Sequence, residues 1–128
     1  IRAVVPELAT SRYMLLTTVK RDGTGVATPV WFAASGDQLV ATSDANAWKV
    51  KRLRNHPLAT VAPCDVRGRP EGPAVPVVGE LLSDAERPAA AAALQRRYGA
   101  ALDGFNVLVR VARRGRRPER AFMGFRPA

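Results

Sequence analysis

Apolar and β-branched side chains crowd Tyr13 to Lys20, YMLLTTVK, and the run breaks at Arg21-Asp22-Gly23-Thr24-Gly25. An Asp-Gly pair between apolar runs signals a hairpin, so a return strand is expected at once. Gly25 to Ala34, GVATPVWFAA, supplies it, and Ser35-Gly36-Asp37 then turns the chain into Gln38 to Thr42, QLVAT. The pattern predicts a three-stranded meander. Pro29 stands inside the second strand and has no amide hydrogen to give to a ladder. That strand is therefore expected at a sheet edge or bulged, with unpaired backbone near Thr28 to Trp31 that can receive a ligand.

From Asn46 to Asn55, NAWKVKRLRN, the period changes. Ala47, Val50 and Leu53 fall on one helical face, and Lys49, Lys51, Arg52 and Arg54 spread around the rest. Asn55-His56-Pro57 stops this helix. Leu58 to Pro63 reads as a short apolar strand, Asp65 to Pro73 as a turn region, and Ala74 to Leu82 as a strand carrying Pro76. Ser83-Asp84-Ala85-Glu86 matches a capping box ahead of an Ala-rich helical run to Tyr98. Pro88 admits a second start, with proline at the first helical position and Glu86 or Arg87 as the cap. Phe105 to Ala112 and Arg120 to Arg126 are expected as final strands around Arg113 to Pro118.

About seven short strands with two helices define a mainly β chain, whose antiparallel sheet is expected to close into a small barrel and so remove its edges. A doubly wound parallel sheet would need regular alternation of strand and helix, which this pattern lacks. At 128 residues, 47% of them apolar, residues 1–128 are expected to fold as one domain.

Charge adds a preference for anions. Twenty Lys and Arg face eleven Asp and Glu, a net +9, and only Lys20, Lys49 and Lys51 are not arginine. Such a surface favours polyanions or phosphates. No apolar run approaches the roughly 20 residues of a membrane span, and Ile1 to Pro6 lacks the features of a secretion signal, so a cytoplasmic protein is expected. One cysteine, Cys64, and one histidine, His56, exclude a disulfide framework and a clustered zinc site.

Every nucleophile would have to share that single histidine as its base. His56 lies at a helix end, where capping carbonyls is the plainer role. Cys64 follows an apolar strand and reads as a small buried hydrophobe, with a redox thiol as the minor alternative. Gly23-Thr24-Gly25 lacks the third glycine of a dinucleotide fingerprint, and no Walker lysine motif occurs. What remains is the basic helix, either a solvated face or a phosphate site where Lys49, Lys51 and Arg52 join the free amides of its first turn. Arg113 to Arg120 reads as an exposed basic loop, and without a recognition-helix motif nucleic acid is an unlikely partner.

Thr28-Pro29-Val30-Trp31-Phe32, Leu39 to Ser43, Lys49 to Pro57, and Ala62-Pro63-Cys64-Asp65 with Arg67-Gly68 together resemble the split β-barrel flavin and deazaflavin oxidoreductases. Within these the chain is most similar to the PPOX-class group that uses coenzyme F420, over Tyr13 to about Leu82. The resemblance implies a Greek-key-like barrel of the FMN-binding split-barrel type, which works as a homodimer with cofactor sites at the subunit interface. It places the deazaflavin ring along Thr28, Pro29, Val30 and Trp31, and the phosphate or tail on Lys49, Lys51 and Arg52. Thr42 and Ser43 add donors, and Pro63 and Cys64 border the ring. Trp31 and Trp48 are core, interface or ring contacts. The implied activity is hydride transfer to an unsaturated small-molecule substrate, with F420 as cofactor and FMN as the alternative. An FMN oxidase and a non-catalytic F420 carrier are the competing readings. The C-terminal third follows the family only in layout, with Phe122-Met123-Gly124-Phe125-Arg126-Pro127 in place of its usual ending.

Overall fold

The computed structural model describes Leu8 and residues 11–44, 47–99 and 120–128. Along the chain run β1 (Tyr13–Val19), β2 (Gly25–Val30), β3 (Phe32–Ser35), β4 (Gln38–Asp44), α1 (Trp48–Asn55), β5 (Leu58–Cys64), β6 (Val75–Leu81), α2 (Arg87–Tyr98) and β7 (Arg120–Pro127). The seven strands make one antiparallel sheet in the order β2-β1-β5-β6-β7-β4-β3. The expected strand over Phe105 to Ala112 and the loop Arg113 to Pro118 lie outside the described residues.

The strand expected over Gly25 to Ala34 is two strands, interrupted at Trp31. The predicted meander is also corrected, since β2 pairs with β1 alone while β4 pairs with β3 and β7. Pro29 does sit on an edge strand, as its missing donor requires. The physical reason for the break is topological. β2 and β3 are the two outer strands of the sheet and are separated in sequence by Trp31 alone. Two virtual bonds of 3.8 Å cannot span more than about 7 Å, so the sheet must roll until its edges meet at that corner. No ladder joins β2 to β4, and the barrel stays split there.

Alternation along β1 buries Met14, Leu16 and Thr18 and leaves Leu15 and Thr17 half-buried. With Val30, Phe32, Leu39, Ala41, Val61, Val77, Met123 and Phe125 these apolar side chains form the interior cluster, and Val50 and Leu53 of α1 join it. The helix approaches closely because Gly79 on β6 has no side chain. A Cβ there would lie 2.7 Å from Leu53 Cδ1 and 2.8 Å from Phe125 Cε1. A second cluster lies on the other face of the β3–β4 hairpin, where Ala90, Ala93 and Leu94 of α2 cover Ala33, Val40 and Leu82. Arg97 lies over the Phe32 ring, 4.4 Å from its centroid, and donates to the Ser11 carbonyl.

Both helix starts differ in detail from the simplest reading. Helix α1 begins at Trp48, with Ala47 as a cap that offers no side-chain hydrogen bond. The Ser83 amide and Oγ do donate to Glu86 Oε1, at 3.1 and 2.9 Å. Yet α2 begins only at Arg87, with Glu86 as its cap and Pro88 in the first turn. The Ser83–Glu86 pair therefore closes a turn ahead of the helix, because Pro88 lacks an amide to donate and its ring fits only the first turn.

Candidate functional site

At the split in the barrel lies an open cleft of about 380 Å³. The C-terminal end of β2 supplies Pro29 and Val30, followed by Trp31 from the corner; β4 supplies Thr42 and Ser43; Lys49 enters from the second residue of α1. Six of the eleven positions singled out from the sequence thus meet in one place. Tyr13, Ala47, Val66 and Arg120 complete the lining and were not among them.

Each wall has an identifiable support. Trp31 stacks on Tyr98 of α2, with ring centroids 4.7 Å apart and planes 22° from parallel. The Tyr98 hydroxyl accepts the Phe32 amide at 2.9 Å and donates to the Arg12 carbonyl at 2.8 Å. These bonds fix the corner between β2 and β3, and burial raises the Tyr98 phenol above its ordinary value. Val66 belongs to a loop organised by Asp65, whose Oδ1 accepts the Arg67 and Arg69 amides, both at 2.9 Å, while Oδ2 accepts Arg69 Nε at 2.8 Å. The Arg69 and Arg67 bonds hold the Asp65 carboxyl below its usual range. Gly68, at φ +82°, takes a backbone conformation that side chains disfavour; its Cβ position lies 3.5 Å from both Leu15 Cδ1 and Pro29 Cδ, so the loop rests on β1 and β2.

Among the described residues, those lining the cleft include two cations, Lys49 and Arg120, and no carboxylate. Lys49 is half-buried rather than exposed, and burial, then Arg120, then Arg52 push its ammonium below the ordinary lysine value. A desolvated ammonium among like charges gains most from an anion placed against it. Arg120 reaches the site through long-range register, since β4 and β7 pair Ser43 with Ala121 and Asp44 with Arg120. Nothing local in the sequence signals that pairing.

Hydroxyls distribute unevenly. Thr28 Oγ1 is buried with no partner among the described residues, and Thr28 shares its strand face with Val30. Thr28 itself is not among the residues that line the cleft. Thr42 Oγ1 donates to the Ala121 carbonyl at 3.0 Å, so its proton is already engaged. Ser43 is buried beside it.

The remaining sequence candidates lie elsewhere. Lys51 and Arg52 line a different cleft on the far side of α1, and Arg52 Nε donates to Thr18 Oγ1 at 2.7 Å. Pro63 and Cys64 are buried in β5 and line neither cleft. Burial, reinforced by Asp65 and Glu71, raises the Cys64 thiol. Trp48 stands 70% exposed. His56 closes α1 through its backbone amide, which donates to the Arg52 carbonyl at 2.8 Å. Among the described residues no group of His, Cys, Asp and Glu comes together to hold a metal, and no helix is long and apolar enough to cross a membrane.

A rolled seven-stranded antiparallel sheet with two helices and a cleft at its seam defines a split-barrel protein. The chain belongs to the pyridoxamine 5'-phosphate oxidase family, whose model matches residues 2–128. Among solved structures it is similar to the heme storage protein HutZ from Vibrio cholerae, with 13% identity, TM-score 0.68, and 98% of this chain and 90% of that one covered. It is also similar to a protein titled F420 reductase, at 22% identity and TM-score 0.58, covering 99% and 92%. A third neighbour is an FAD-binding protein from Mesorhizobium loti, at 18% identity and TM-score 0.66, covering 95% and 83%. None of the curated proteins compared matches the chain.

Proposed function

We propose that this protein is a coenzyme F420-dependent oxidoreductase that holds its cofactor in the cleft at the barrel split and reduces an unsaturated small molecule. The observation that carries this reading is the meeting of Pro29, Val30 and Trp31 with Thr42, Ser43 and the half-buried Lys49 in one cleft. Family membership supports an oxidoreductase, and an F420 reductase stands among the structural neighbours, beside FAD-binding and heme-binding proteins.

When bound and reduced, the deazaflavin ring supplies a hydride. The protein's own residues do the rest. Lys49, with Arg120 nearby, is suited to a phosphate or carboxylate oxygen, and an anion there relieves the strain of a desolvated ammonium among cations. Trp31, held by Tyr98, gives a flat apolar wall that displaces water. Because the Thr42 proton is engaged by Ala121, protonation of the reduced product is assigned to solvent. A volume of about 380 Å³ lies at the lower end of small-molecule sites, and we assign the missing wall to a second copy in a homodimer.

Titration of the purified protein with F420 and, separately, with FMN tests the reading through ring fluorescence. Saturable binding of F420, weakened about 10- to 100-fold by Lys49→Ala, is expected for a charge-assisted contact of about 1.5–3 kcal/mol. Preference for FMN would move the assignment to a flavin oxidase, which shares the phosphate. Binding of F420 without turnover of any unsaturated substrate would indicate a carrier. Undiminished affinity in Lys49→Ala would remove the cleft from the site.

A further inference from the structure

We propose that the protein carries a second ligand site, on the opposite side of α1 from the first, which takes a small amphipathic anion: a flat apolar body bearing a sulfonate, carboxylate or phosphate. Trp48, Lys51, Arg52 and Asn55 follow the i, i+3, i+4, i+7 rule and so share one face of α1. That face, together with the mouth of the β1–β2 hairpin, bounds an open cleft of about 960 Å³ that shares no lining residue with the cleft at the split. Separation follows from helical geometry, because Lys49 and Lys51 stand about 200° apart around the axis.

Three observations specify the ligand. The floor is apolar, made by Val19, Val26 and the indole of Trp48, which is 70% exposed. A surface tryptophan at that exposure is uncommon and favours a flat partner. The rim is cationic, with Lys20, Arg21, Lys51 and Arg52 lining the cleft and, among the described residues, no carboxylate beside them in the lining. Asp22, next to this rim, accepts the Thr24 amide on its Oδ1 at 2.9 Å within the hairpin turn and offsets part of the charge of Lys20, leaving Arg21, Lys51 and Arg52 as the excess. Finally, the parts are already positioned. Lys51 Nζ sits 4.7 Å from the Trp48 ring centroid, and Arg52 Nε is anchored on Thr18, which leaves its terminal NH₂ groups to another partner. The hairpin carrying Lys20 and Arg21 is closed by Lys20 N to Thr24 O at 2.9 Å and Gly23 N to Lys20 O at 3.0 Å. Charge complementarity of this kind selects an anion, and the exposed indole with its apolar floor selects an apolar body.

The site does not rest on the cofactor reading and is tested apart from it. The probe is anilinonaphthalene sulfonate, followed by its own emission, with uncharged N-phenyl-naphthylamine as the comparison. Expected is saturable one-to-one binding of the sulfonate, about tenfold weaker for the uncharged analogue and for Arg21→Glu/Lys51→Glu, and lost in Trp48→Ala. Lys49→Ala and saturating FMN should leave it unchanged. Equal binding of the uncharged analogue would reduce the site to an apolar patch, and unaltered binding in Trp48→Ala would place the probe elsewhere. Displacement by FMN would merge the two clefts into one. Absence of binding, with Trp48 shielded from acrylamide quenching in a dimer, would assign the face to a second copy. Each of these four results overturns the proposal.

Discussion

Tyr98→Phe removes one oxygen and nothing else, and the structure states what that oxygen holds. It accepts the amide of Phe32, the first residue of β3, at 2.9 Å, and donates to the Arg12 carbonyl at 2.8 Å. The second bond is solvent-exposed, so water replaces it at little cost. The first lies partly buried at the corner where the sheet edges meet, and its loss leaves an amide short of an acceptor. A stranded donor of this kind costs about 1–3 kcal/mol, and partial access to water argues for about 1–2 kcal/mol here. With a urea slope of about 2 kcal/mol/M, the midpoint should fall by about 0.5–1 M at an unchanged slope. Tyr98→Leu should cost about 0.5–1.5 kcal/mol more, because it also removes the stack on Trp31. The phenol is raised in the folded state, so its contribution is complete below the unfolded value near 10.0 and is lost as pH climbs through the folded value. Tyr98→Phe should abolish that part of the alkaline loss. A Tyr98→Phe midpoint within 0.2 M of the parent, roughly the error of such measurements, would refute the claim that this hydroxyl secures the corner.

Gly79→Ala should destabilise by about 1–3 kcal/mol in the same assay, since its Cβ would sit 2.7 Å from Leu53 Cδ1 and 2.8 Å from the Phe125 ring. Asp65→Asn should loosen the 65–69 loop, read as faster amide exchange at Arg67 and Arg69 with little change in the core. Because the Asp65 carboxyl is lowered, the parent loop should stay protected above pH about 4 and lose that protection as pH falls through the folded value. Cys64 is buried and its thiol raised, so a disulfide reagent should leave it unmodified in the native protein at neutral pH and modify it fully in urea; fast native reaction would contradict its placement.

Local pattern carried much of this molecule. The hairpin at Asp22-Gly23, the edge position of Pro29, the core face Ala47-Val50-Leu53 and the stop at His56-Pro57 are all properties of a few neighbouring residues, and each follows from propensity, periodicity or a missing donor. The same holds for six residues of the candidate site, which lie on three segments that the resemblance already grouped. Tertiary structure decided what depends on distant partners. No local signal says that Trp31 must break a strand, because the break comes from two sheet edges joined by one residue. Nor does a local signal bring Arg120 beside Ser43, which rests on the β4–β7 register, or say which cleft Lys49 and Lys51 each face, which rests on where α1 settles over Gly79. Charge and periodicity are written along the chain, whereas the side of a helix that faces a cleft is set by what the rest of the sheet packs against it.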